Sequence, residues 1–181
     1  MKRAIVLLLT SILFLTGCVT NAQEGNHDPD VLEILFLTSV APHYEEQMQE
    51  YVEDLLESEM DDGVTVNVTL SMANFDRLTI ELIDKEVDLY VVDRFLDQAL
   101  LDPYGLASLD VLKDDVDSHV IEQYTMENED ETDEHLYMIE LTEEQQFSKD
   151  TGLTTEDGLV AAVAQTSPHQ EAAIKLLEAW L

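Results

Sequence analysis

Three short apolar segments of the chain are each followed by polar and aromatic side chains of the kind that bind uncharged, hydroxyl-rich ligands. The segments are residues 31–38, 64–70 and 87–92, and the side chains that follow them are Ser39, His43, Tyr44, Asn74, Phe75, Asp93 and Arg94. Aromatic rings pack on the CH face of a sugar, while carboxylates and amides bond its hydroxyls. A simpler interpretation stays open, in which Tyr44 and Phe75 anchor the core and Asn74 only caps a helix.

The charge of the chain limits which partners these residues can have. The formal net charge is -32, and loss of the amino-terminal segment with Lys2 and Arg3 takes it to -34. Such a chain is repelled by nucleic acid and by anionic lipid headgroups. Arg94 could hold a carboxylate ligand, but the field of the chain opposes anions, and an ion pair within the chain is the alternative. Acidic residues spread over every segment also fit a surface adapted to salt or alkaline surroundings.

Motifs for catalysis, cofactors or metals are missing from the sequence. The five histidines, His27, His43, His119, His135 and His169, lack the spacing of paired metal ligands. There is no glycine-rich phosphate loop and no nucleophile elbow. The acidic run at residues 127–134 invites a calcium interpretation, but it lacks the glycine turn and fixed ligand spacing of a calcium loop. We expect no enzyme, no cofactor and no ordered metal site, with the acidic run forming a solvated loop.

Alternating strand and helix patterns place the candidate residues on one edge of a sheet. Apolar residues at helical spacing predict a helix from Tyr44 to Leu56, and a second helix follows Asn74. Residues 136–141 and 159–164 predict two more strands, and Ser167 with Pro168 predicts the start of a final helix. The sequence therefore predicts an α/β three-layer sandwich in residues 31–181, with a mostly parallel sheet of about five strands and right-handed crossovers.

The amino-terminal residues have the layout of a secretory signal. Lys2 and Arg3 precede an apolar run at residues 4–14, which is shorter than the roughly 20 residues that span a bilayer. The segment at residues 15–18, Leu-Thr-Gly-Cys, resembles the lipobox of bacterial lipoproteins. The resemblance implies a signal peptide at residues 1–17, lipid on Cys18, and a polar tether at residues 18–30. A chance buried cysteine is the alternative.

Several segments in order resemble the extracellular solute-binding lipoproteins of ABC importers for sugars, which have the type II periplasmic-binding fold. They are residues 32–36 with the helix and strand that follow, residues 85–93 with residues 106–112, and residues 158–163 running through Thr166-Ser167-Pro168-His169 into the carboxyl-terminal helix. That family has two lobes that close on a ligand, whereas this chain has length for little more than one.

The resemblance implies a lipid-anchored protein on the extracellular face of a bacterial membrane. One hypothesis is a shortened solute-binding protein that binds a neutral sugar and assists an ABC permease or another solute-binding lipoprotein. The competing hypothesis is an envelope interaction protein that binds no solute, since half a cleft buries too little ligand for tight binding.

Overall fold

The computed structural model describes residues 25–57, 64–128 and 133–181. The predicted signal peptide, Cys18 and the tether up to residue 24 lie outside the described residues. So do residues 61–63, where the sequence Asp-Asp-Gly predicts a turn, and residues 129–132 of the acidic run.

The strands and helices alternate through the first half of the chain, as the sequence predicts. The strands are β1 Val31–Thr38, β2 Thr65–Met72, β3 Leu89–Asp93, β4 Thr125–Glu127, β5 Glu134–Leu136, β6 Ile139–Leu141 and β7 Leu159–Val163. The helices are α1 Glu45–Leu56, α2 Phe75–Asp84, α3 Asp97–Leu100, α4 Ser118–Tyr124, α5 Gln146–Thr151 and α6 Gln170–Trp180. Short 3-10 turns lie at Pro42–Tyr44, Arg94–Leu96 and Asp110–Leu112.

Five strands form one mixed sheet in the order β2-β1-β3-β7-β6. β1 pairs in parallel with β2 and β3, whereas β7 is antiparallel to both of its neighbours. The α/β class is confirmed, but the expectation of a mostly parallel sheet holds only at the β2-β1-β3 end. The chain does not cross back over the sheet after β6: Leu159 at the start of β7 pairs with Leu141 at the end of β6, so β7 runs against β6 and against β3.

Two predicted boundaries in the second half are wrong. The apolar run at residues 136–141 is not one strand: β5 ends at Leu136 and pairs with β4 in a separate two-stranded sheet, while β6 joins the main sheet. Asp110 accepts a hydrogen bond from the Leu136 amide at 2.8 Å, which fixes the chain between the two strands. The last helix begins at Gln170, because Ser167 instead accepts from the His169 amide in a turn.

The two parallel crossovers place helices on both faces of the sheet, since right-handed connections from β1 to β2 and from β2 to β3 run in opposite directions. On the α1 face, an aromatic cluster joins the layers. Phe36 of β1 stacks on Phe147 of α5 at 6.2 Å between ring centroids, and Phe147 contacts Trp180 of α6 at 5.0 Å. On the other face, the Tyr90 hydroxyl donates to the Glu81 carbonyl of α2 at 3.3 Å.

Candidate functional site at the carboxyl edge of the sheet

The carboxyl ends of β1 and β3 meet where the strand order reverses. From β1 the chain crosses to β2 on one side and then to β3 on the other, and open α/β sheets bind ligands at such a switch point. Here the structure brings together two of the predicted residues. The Ser39 amide, which follows β1, donates to Asp93 Oδ2, at the end of β3, with a separation of 2.8 Å. Asp93 therefore fastens the ends of the two strands to each other.

The Asp93 carboxyl is buried and carries an unusual electrostatic environment. Burial raises its pKa, hydrogen bonds from Ser39 oppose the rise, and the nearby Asp157 carboxylate adds to it. Asp93 Oδ1 is buried and has no hydrogen-bond partner among the described residues. The Asp93 carboxyl therefore holds the ends of β1 and β3 together, and it is buried away from solvent.

Arg94 leaves the switch point and forms an ion pair within the chain. Its Nη2 lies 2.9 Å from Glu140 Oε1, and the same nitrogen donates to Gln123 Oε1 at 3.0 Å. The Arg94 amide also donates to the Gly158 carbonyl at 3.1 Å, which ties β3 to the start of β7. The alternative of an intrachain ion pair is confirmed, so the guanidinium already has a carboxylate partner.

A polar network extends from this ion pair through residues that the sequence analysis did not single out. Glu140 Oε2 lies 3.2 Å from His119 Nε2. Gln123 and the Tyr124 hydroxyl both donate to Asp97 Oδ2, at 3.2 and 3.1 Å. Burial raises the Tyr124 pKa and the Asp97 carboxylate raises it further. These contacts join α4, β6 and the segment after β3, and no local pattern in the sequence signals such long-range pairs.

A cavity of about 220 Å³ opens beside this network. Its walls include Arg94, Glu140 and Asp157 together with Ser148 and Thr154. Ligand pockets typically enclose about 300–1,000 Å³, so the cavity alone is too small to enclose more than a small part of an oligosaccharide.

The aromatic side chains that follow the strands divide into one core anchor, Tyr44, and two exposed rings, Phe75 and Phe95. Tyr44 is half-buried, packs against the core, and contacts the His43 ring at 4.2 Å. Phe75, after β2, is 61% exposed, and Phe95, after β3, is 63% exposed. Asn74 caps α2, because its Oδ1 accepts from the Arg77 amide at 3.1 Å. The core interpretation therefore holds for Tyr44 but is wrong for Phe75.

No known protein family, curated protein or solved structure matches the chain. Across the ranges that the structure describes, no helix is both long and apolar enough to cross a bilayer. Within the same ranges, no three or more histidine, cysteine or acidic side chains are arranged to hold a metal ion.

Proposed function

We propose that the chain is a secreted, lipid-anchored bacterial protein, a one-lobed relative of the solute-binding lipoproteins of sugar importers, which presents the carboxyl edge of its sheet to a neutral carbohydrate. The observation that carries this proposal is the pair of exposed phenyl rings, Phe75 and Phe95. They follow β2 and β3, which flank β1, so one aromatic ring stands on each side of the strand at the switch point. The proposal includes no catalytic step and no cofactor.

The charges around this edge favour a neutral ligand. The Arg94 guanidinium is paired with Glu140, and Asp157 lines the neighbouring cavity. An anionic ligand would meet the repulsion of a chain with formal charge -32. A sugar needs only ring faces and hydroxyl partners, which Phe75 and Phe95 and the cavity-lining Asp157 and Thr154 would supply.

The one-lobed form implies weak, one-sided binding. The parallel β2-β1-β3 unit with helices on both faces supports a periplasmic-binding-protein-like lobe, while the cavity of about 220 Å³ covers one side of a ligand at most. A second surface is needed for closure, and an ABC permease or a two-lobed solute-binding lipoprotein on the extracellular face of the same membrane would provide it.

Calorimetric titration with a panel of neutral oligosaccharides tests the proposal. The variants Phe75→Ala and Phe95→Ala should each weaken binding by about two- to tenfold, since an aromatic contact of this kind is worth roughly 0.5–1.5 kcal/mol. Val111→Ala is the matched control, because Val111 is 71% exposed and lies outside the carboxyl edge. No heat with any sugar in the panel, or equal affinity in all three variants, would contradict sugar binding.

An envelope interaction protein is the second candidate, and the surface of α2 favours it. Ile80 and Ile83 on this helix are 52% and 71% exposed, and Met72 at the end of β2 is 56% exposed. Exposed apolar patches commonly mark protein contacts. A pull-down from membranes tests this candidate with the tagged chain, Ile83→Glu and a Val111→Glu control. This candidate is supported over the first if the tagged chain and the control capture the same protein and Ile83→Glu does not.

A further inference from the structure

Residues 25–28, which belong to the predicted tether, are hydrogen-bonded to the end of the sheet where β1 and β3 begin. We call this end the amino edge. The Asn26 amide donates to the Lys85 carbonyl at 2.8 Å, and its side chain donates to Glu86 at 2.7 Å. His169 Nε2 lies 3.3 Å from the Asp28 carbonyl. We call residues 25–28 the latch, because they attach the amino-terminal segment to the domain.

His27 is the buried centre of the latch. Its Nδ1 lies 2.9 Å from Asp88 Oδ1, with side chains that are 3% and 0% exposed, and its Nε2 lies 2.8 Å from Thr166 Oγ1. Asp88 Oδ2 accepts from the Glu33 amide at 2.8 Å, and the Asp88 carbonyl accepts from the Ala164 amide at 2.8 Å. Through Asp88 and Thr166 the latch is therefore linked to β1, to the start of β3 and to the segment after β7, and loss of His27 would remove the ring that lies against the buried Asp88 carboxyl.

The Thr166 hydroxyl, the His27 imidazole and the Asp88 carboxylate lie in the order of nucleophile, base and orienting acid that nucleophilic enzymes use. Although the His27 and Asp88 atoms are close, they are not aligned as a hydrogen bond. A Cβ atom on Gly25 would lie 2.8 Å from Thr166 Oγ1, so the main chain of the latch covers the hydroxyl. Attachment explains these contacts better than catalysis does.

The latch and the candidate site lie on opposite edges of the sheet. β1 starts beside the latch and ends at Thr38, next to Ser39, and its eight residues extend about 26 Å. The seven residue steps from Cys18 to Gly25 reach at most about 25 Å. A lipid on Cys18 would therefore join the domain at the amino edge, so the shortest path from the bilayer ends at that edge and the carboxyl edge lies up to a strand length farther along.

We propose that the amino edge of the sheet is the membrane-facing surface of the protein and that the His27 latch sets this orientation. The orientation rests on the lipid anchor of the proposed function, whereas the latch itself does not. Charge alone would not orient the domain toward lipid, because acidic residues surround the latch and repel anionic headgroups within a Debye length of about 8 Å at physiological salt. The attachment of the chain is what fixes which edge is near.

Hydrogen exchange on the full chain tests the latch first. The Asn26 amide, which donates to the Lys85 carbonyl, should be protected, and His27→Ala should make it exchange on the order of tenfold faster or more. Gly25→Ala, whose Cβ would meet the His27 ring and the Thr166 hydroxyl while the Asn26 amide stays as the reporter, should do the same if His27→Ala does not fold. His43→Ala is the matched control outside the latch. An unprotected Asn26 amide in the parent protein would overturn the latch.

Energy transfer to an acceptor on lipid headgroups tests the orientation in phosphatidylcholine vesicles. Asp76→Cys and Asp84→Cys place one dye at each end of α2, about 12 Å apart along the helix, with the second at the amino edge. Transfer should be higher for the dye at position 84, and His27→Ala should remove the difference. Equal transfer in the parent, or higher transfer at position 76, would overturn the orientation. If neither dye transfers because the chain stays off the vesicles, the lipid anchor and the orientation fail together, and hydrogen exchange still decides the latch.

Discussion

Arg94→Ala is expected to destabilise the fold by removing the guanidinium from a buried carboxylate. The Glu140 side chain is 5% exposed, and after the substitution His119 is the remaining basic side chain that contacts it. The substitution also removes the hydrogen bond to Gln123, which connects the ion pair to Asp97. The substitution therefore removes contacts that join the segment after β3 to β6 and α4.

The magnitude follows from the mixed exposure of the pair. Breaking a fully buried pair costs about 3–5 kcal/mol, and an exposed pair is worth about 0–1 kcal/mol. Arg94 is 38% exposed while Glu140 is buried, so solvent screens one partner only. We expect a loss of about 2 kcal/mol in the free energy of unfolding, which for a domain of this size lowers Tm by roughly 4–8 °C.

A double-mutant cycle measures the effect. It compares the free energies of urea unfolding of the parent, Arg94→Ala, Glu140→Gln and the double variant. Arg77→Ala is the matched control. It removes an arginine that pairs with Glu81 four residues away on α2 and is half exposed, and it should cost about 0.5 kcal/mol or less.

Two results would refute this reasoning. A coupling energy near zero would show that the Arg94 and Glu140 charges do not interact in the folded protein. Equal losses in the free energy of unfolding for Arg94→Ala and Arg77→Ala would show that burial of the carboxylate does not increase the contribution of its arginine partner to stability.

Two further predictions concern charge. Tm should rise from low to molar sodium chloride, because the Debye length shortens from about 30 Å at 0.01 M to about 3 Å at 1 M; a flat response would favour bound cations and revive the calcium interpretation of the acidic run. For Asp110, the cost of burial is outweighed by bonds from Lys113, the Leu136 amide and His135, so its pKa falls to about 2, whereas that of Asp93 is raised. The stabilisation from Asp110 should therefore be present above the unfolded pKa of about 3.9 and be lost as pH falls toward 2. The stabilisation from Asp93 should be lost as pH rises through the raised pKa that this carboxyl has in the folded protein. Carboxyl-carbon NMR titration checks both, and Asp93 titrating below Asp110 would contradict them.

The first half of the fold follows from local patterns in the sequence. The apolar run of β1 and the alternation of β2 predict strands, and the helical spacing of α1 predicts its buried residues Met48, Val52 and Leu56. Each of these signals depends on residues within one element. The strand order is not among these predictions, because right-handed crossovers allow β1-β2-β3 as well as the observed β2-β1-β3.

The second half and the polar network do not follow from such patterns. The two strands in residues 134–141 belong to different sheets, and tertiary contacts such as the bond from Leu136 to Asp110 decide where they separate. Likewise, Phe75 and Tyr44 look equivalent in the sequence, yet only Tyr44 packs into the core. Contacts between residues far apart in the chain carry no periodicity, and the pairs of His27 with Asp88 and Thr166 are of this kind.

The position of β7 has a consequence for the order in which the protein can fold. β7 lies inside the sheet between β3 and β6, yet it comes after both of them in the chain. Until residues 159–163 arrive, β3 presents an unpaired edge, and the pairing of Leu89 with Val163 closes a loop of more than seventy residues. Long-range pairing of this kind slows folding and exposes strand edges to aggregation. A chain that emerges from its amino terminus must therefore avoid aggregation with β1, β2 and β3 unfinished until residues 159–163 have emerged, and its many carboxylates supply the repulsion that keeps such chains apart.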